Sequence, residues 1–230
     1  FLARWQLKLG RSGGFYAMIR DTTIDFILSL RLPYYFWLGL RGFAGGLVWL
    51  FVPVTMLVIA SQLPQGPGFL VSFGGVFMLM IVIAYVPFLQ THFAQTGKFK
   101  DLFAIHEVRR LFRCAPFAFW IALFITLLMA LPLYLLKIEL TPQELAWLPG
   151  LFFVASILPA RLLTGWAVAR AQKAQKAGFV LFRWAGRLAA IPVLLVYALW
   201  VYLMQFLSWS GTQSLLEQHA FLLPAPLFAL

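Results

Sequence analysis

The chain has 230 residues, 63% of them hydrophobic and 11% charged, with a formal net charge of +11. A soluble domain holds roughly 45–50% apolar and about 25% charged residues, and a core of this size cannot absorb so much apolar surface. An ordinary soluble domain is therefore excluded. So is a nucleic-acid module, because no soluble unit remains once the apolar runs are set aside.

The lone Cys114 rules out an internal disulfide and every multi-cysteine metal motif. The chain opens with Phe1 rather than Met, which fits a processed or truncated product. Phe1 to Gly14 lacks the apolar core and small-residue cleavage site of a signal peptide.

Residues 1–37 read as a cytoplasmic or interfacial segment. Gly10, Gly13 and Gly14 break its first part, and Arg4, Lys8 and Arg11 punctuate it. From Asp21 to Leu32, Ile24, Ile27, Leu28 and Leu30 share a broad face while Asp21, Asp25 and Arg31 lie mostly off it, which predicts an interfacial helix. Leu32-Pro-Tyr-Tyr-Phe-Trp37 reads as an aromatic belt at headgroup level.

A single transmembrane domain is expected over 38–209, with spans near 38–60, 69–93, 116–136, 148–169 and 188–209. Each is close to the roughly 20 residues that cross about 30 Å of hydrocarbon. Arg41 is near enough to an end to snorkel. Ser61 to Gly68 reads as a turn, and Pro87 is expected to kink the second span. Lys137 to Trp147 joins spans three and four, and Arg170 to Arg187 forms a second basic interval. Residues 210–230 form a short non-cytoplasmic tail whose Pro224 and Pro226 argue against a sixth span.

Of the 18 Lys and Arg, all but Lys137 fall at or before the head of span one, between spans two and three, or between the middle of span four and span five. The positive-inside rule then places the N-terminus and both basic intervals in the cytoplasm of a bacterial inner membrane, with the C-terminus outside.

The first basic interval, Gln95 to Trp120, carries the densest charge. In helical projection from Asp101 to Arg113, Ile105, Val108, Leu111 and Phe112 gather on one side. His106, Arg109, Arg110 and Arg113 gather on the other, with Glu107 beside them and Phe103 as the exception. Such a helix lies on the inner leaflet with its arginines over anionic headgroups, or docks a cytoplasmic partner. Lys98, Lys100, His106, Arg109, Arg110 and Arg113 are the candidate lipid- or partner-binding residues. A weak internal echo links Arg20-Asp21…Pro33…Trp37 with Lys100-Asp101…Pro116…Trp120.

Gly97-Lys-Phe-Lys-Asp-Leu-Phe-Ala-Ile-His-Glu-Val-Arg-Arg-Leu111, set between two spans, resembles the central segment of a prokaryotic membrane family known as domain of unknown function 4013. The resemblance covers roughly Pro87–Leu136 and has a short motif; the family's tyrosine before the glycine is replaced around Phe93. It implies a helical integral membrane protein and brings no activity and no catalytic residues.

The spans contain no acid, which weighs against a proton-coupled transporter. Arg161 is the one deep charge, two residues after Pro159, whose freed carbonyl Arg161 or Thr164 can satisfy. It reads as a snorkelling residue or as an anionic lipid or substrate site. His92 and His106 could touch a pigment or haem, but no spaced histidine pair lies within the spans. No catalytic arrangement, phosphate loop or metal spacing is present, and no cofactor is expected. Gly42 and Gly46 form a small-xxx-small pair in span one, beside Gly45, and Gly74-Gly75 offer a close-packing face in span two.

The expected fold is thus an all-α integral membrane bundle of about five helices with amphipathic interfacial helices on the cytoplasmic side. The expected function is a non-enzymatic structural or accessory subunit of a membrane complex. Its expected partners are the bilayer, anionic lipids, and other subunits or further copies of itself, and not nucleic acid. The alternative is a transporter component with Arg161 in an anionic substrate path.

Overall fold

The computed structural model describes residues 15–135, 148–174, 176–207 and 215. Every described element is helical, and no strand occurs among the described residues. The expectations for residues 1–14, for the turn near 137–147 and for the tail at 210–230 fall largely outside the described residues. The chain separates into two compact units, residues 1–40 and 41–230.

In the first unit, α1 spans Phe15–Ser29, six residues ahead of the start expected at Asp21, and α2 begins at Leu32. The break between them rests on Arg31, whose φ of 47° is left-handed, a conformation that few residues other than glycine adopt. Its carbonyl accepts from the Tyr34 and Tyr35 amides at 3.0 and 3.2 Å, which starts the new helix. Pro33 fits the first turn because its missing N–H would have no helical partner there. The aromatic belt is therefore the first turns of α2, with Tyr34, Tyr35, Phe36 and Trp37 all exposed.

In the second unit, α2 runs on to Ala60, and α3 spans Gln65–Thr96. The expected turn at 61–68 shrinks to 61–64, because Pro67 is likewise accommodated in a first turn. Pro87 lies inside an unbroken α3. Gly97 closes α3 at φ 69°, donating its amide to the Phe93 carbonyl at 2.7 Å, as left-handed glycine caps do.

The helix read from Asp101 to Arg113 is two pieces. A 3-10 turn covers Phe99–Phe103, and α4 covers Ile105–Cys114. The break at Ala104 explains why Phe103 fell off the projected face: it belongs to the other piece. In α4, Val108 and Leu111 are buried, while His106, Arg109, Arg110 and Arg113 are exposed. Glu107 pairs with Arg110 at 2.7 Å.

Helix α5 opens on Pro116, bent 112° from α4 at Ala115, and runs to Leu135. Helix α6 spans Leu148–Ala174 and α7 spans Val180–Leu207, so Arg183 and Arg187 lie on α7 rather than in a loop before it. Three stretches, Ile19–Ala60, Gly66–Thr96 and Val180–Leu207, are long and apolar enough to cross a membrane, and α4 with α5 makes a fourth if the bent pair counts as one.

Side-chain ties fix how these helices run. Between α3 and α6, Arg161 donates from Nη1 to Gln90 Oε1, the Thr91 and Thr164 hydroxyls meet at 3.2 Å, and Gln172 reaches Gln95 at 3.0 Å. Contacts that rise together along both helices mean that α3 and α6 are parallel, so their C-terminal ends coincide. Helix α2 is antiparallel to α3: Gly42 lies by Phe93, and Gly75 by Leu57. Gly178, ahead of α7, donates its amide to the Arg113 carbonyl at 2.8 Å, and Gly186 packs on Pro116. Arg41, the first basic interval and the second all meet at one end of the second unit.

The core is built from Leu57, Leu79, Ile83, Leu89, Leu102 and Met204, each almost wholly buried. Between α5, α6 and α7 it is lined with alanines, including Ala122, Ala130, Ala167 and Ala198. Small side chains let helix backbones approach where van der Waals packing must carry association. The outward surface is apolar, with Phe51, Phe73, Leu162, Val196 and Phe206 more than half exposed.

Candidate functional site

The first basic interval divides into two environments. In its first half, the 3-10 turn is clamped against α2. Leu102 is buried to 1% exposure. A Cβ on Gly45 would lie 2.4 Å from Leu102 Cδ1, so only glycine fits there without a shift. Trp49 donates its indole N–H to the Leu102 carbonyl at 3.0 Å and stacks on Phe103 at 5.9 Å. Arg41 donates to the Gly97 carbonyl and lies over the Phe93 ring. It therefore ties α2 to the end of α3 rather than simply snorkelling. Lys98 and Lys100 are exposed around this clamp.

The second half opens onto a cavity of about 410 Å³, walled by α3, α4, α5 and α7. That volume lies in the range of small-ligand sites. The position of α4 follows from the 112° bend at Ala115 and from the anchoring of Gly178 and Gly186 on the corner. Arg109 and Arg113 from α4, and Arg187 from α7, line the cavity; Phe88, Phe119 and Leu123 line its apolar wall.

Aromatic rings hold two of the guanidinium groups in place. Arg109 lies 5.6 Å from the Tyr85 ring centre and donates from Nε to Tyr85 Oη at 3.1 Å. Arg187 lies over Phe112 and Trp184, 5.8 and 5.9 Å from their ring centres. A guanidinium has five donors, so stacking leaves most of them available. The indole nitrogen of Trp120, another wall residue, is buried and has no partner among the described residues.

No carboxylate lines this cavity. Glu107, the acid of α4, is engaged by Arg110. Arg109, Arg113 and Arg187 make no ion pair among the described residues. Like charges gathered beside a low-dielectric wall repel one another more strongly than they do in water, so the arrangement favours an anion.

The seven basic or histidine candidates from the sequence thus fall into separate places. Arg109 and Arg113 reach the cavity; Arg110 and His106 are exposed on α4 and do not line it; Lys98 and Lys100 border the clamp. Arg161 lies apart in the α3–α6 seam, on Gln90. The nearby carbonyl that Thr164 satisfies is that of Arg161, at 2.9 Å. Of the packing glycines, Gly74 and Gly75 meet Met56 and Leu57, while the tightest approach in α2 is at Gly45 rather than at Gly42. Gly46 is buried. His92 is half-buried, with Nδ1 unpartnered among the described residues.

Sequence reasoning missed Arg187, Trp120 and Tyr85 as members of one site. Arg187 was legible as a basic residue, but nothing in the spacing shows that the second basic interval folds back onto the first. Compared with protein-family models, with curated proteins and with solved structures, the chain finds no match.

Proposed function

We propose that the chain is a polytopic membrane protein crossing the bilayer five times, through α2, α3, α5, α6 and α7. In this reading its basic end faces the cytoplasm of a bacterial inner membrane and its C-terminus lies outside. It has no chemistry of its own. It serves as a structural or accessory component of a membrane assembly, and it holds anionic lipid at its basic end.

The observation that carries this reading is the gathering of Arg41 and both basic intervals at one end of helices whose outward surface is apolar. Large exposed apolar faces call for lipid or for another subunit, and clustered arginines near a bilayer surface attract anionic headgroups. The alternative, a transporter with Arg161 in the substrate path, gains less support: Arg161 is engaged with Gln90 between two helices, which suits a packing role.

Purification in mild detergent, with mass spectrometry of the accompanying lipid and protein, tests the proposal. Anionic phospholipid enriched over its share of the membrane, together with stoichiometric subunits, is the expected result. A lone chain carrying only zwitterionic lipid contradicts it.

A further inference from the structure

From the cavity between α4 and the head of α7, we infer a specific site for one anionic glycerophospholipid. This deepens the proposed function and rests on it. The headgroup phosphate lies among Arg109, Arg113 and Arg187.

Three features converge on this ligand. The three arginines line one cavity and lack ion-pair partners among the described residues. Guanidinium groups bind phosphate in fork-like fashion, and stacking on Tyr85, Phe112 and Trp184 orders two of them beforehand. The opposite wall is apolar, so a free phosphate would leave half the cavity unfilled.

The test uses the full chain in mild detergent, stripped of native lipid and titrated with phosphatidylglycerol, with phosphatidylcholine of the same chains, and with glycerol 3-phosphate. Binding is read by native mass spectrometry. One phosphatidylglycerol per chain is expected, at least about tenfold tighter than phosphatidylcholine and than glycerol 3-phosphate. Arg113→Gln with Arg187→Gln weakens it about tenfold or more, as expected for charge-assisted contacts.

The combined Lys98→Gln, Lys100→Gln and Arg110→Gln variant removes three charges outside the cavity, one more than the cavity variant, and leaves this binding within about twofold. If that variant loses as much affinity as the cavity variant, the specific site is wrong, while general attraction of anionic lipid to the basic end stands. If glycerol 3-phosphate binds as tightly as the lipid, the site takes phosphate alone and the lipid assignment falls. If phosphatidylglycerol and phosphatidylcholine bind alike, both the site and the broader reading fall.

Discussion

The two halves of the first basic interval carry similar charge and are used differently. From Gly97 to Phe103 the chain is held against α2, its Gly97 and Leu102 carbonyls are met by Arg41 and Trp49, and Leu102 fills the gap over Gly45. From Ile105 to Arg113 the chain leaves a cavity, and Arg109 and Arg113 line it without acids. The lesson is that charge density alone does not mark a binding site. Where the protein satisfies its own polar groups, the charges point outward and the segment is structural. Where donors converge on a space the protein does not fill, a ligand is expected.

Breaking the clamp should have the largest effect. Leu102→Ala opens a void in a fully enclosed position, and large-to-small changes of this kind cost about 2–5 kcal/mol. A thermal-unfolding series in detergent should show a clear fall in Tm; an unchanged Tm would mean that the turn is not anchored through Leu102. Gly45→Ala attacks the same contact from α2. It forces Leu102 to shift and should cost about 1–3 kcal/mol, whereas Gly39→Ala, with open space around it, should be close to neutral.

Gln90→Leu tests the α3–α6 seam by removing an acceptor from Arg161. Hydrogen bonds to charged groups are worth about 1.5–3 kcal/mol, so a moderate stability loss without change in lipid binding is expected. A loss of lipid preference instead would move the site from the cavity to the seam. Trp49→Phe keeps the stacking on Phe103 and deletes one hydrogen bond, at about 1 kcal/mol. The smallest effect belongs to Arg110→Gln. This exposed arginine pairs with Glu107, and surface pairs are worth about 0–1 kcal/mol, so unfolding by denaturant should be nearly superimposable on that of the parent chain.

The helices were legible because runs of twenty apolar residues have few alternatives. The stretch read from Pro116 begins where α5 begins, since the proline marks a helix start plainly. Starts hidden by charge were harder. Arg183 and Arg187 look like loop residues in sequence, yet they are the first turns of α7, because at a helix end long side chains can reach polar surroundings while the backbone stays helical. Glycine pairs drew attention to α2 and α3. The alanine seam of α5, α6 and α7 went unread, because alanine is common in any helix and its spacing carries little signal.

Half of the site was visible. Arg109 and Arg113 stood out by projection, but their partner Arg187 is distant in sequence and is brought in by the Gly178 amide and the Gly186 contact. The direction of α4 depends on the bend at Ala115, and residue spacing gives no angle.

The most direct test of the account is a cryo-electron microscopy map of the full chain in nanodiscs of phosphatidylglycerol and phosphatidylcholine. Elongated density whose head lies among Arg109, Arg113 and Arg187 is the predicted result. An empty cavity, with lipid density gathered instead around Lys98 and Lys100, would contradict it.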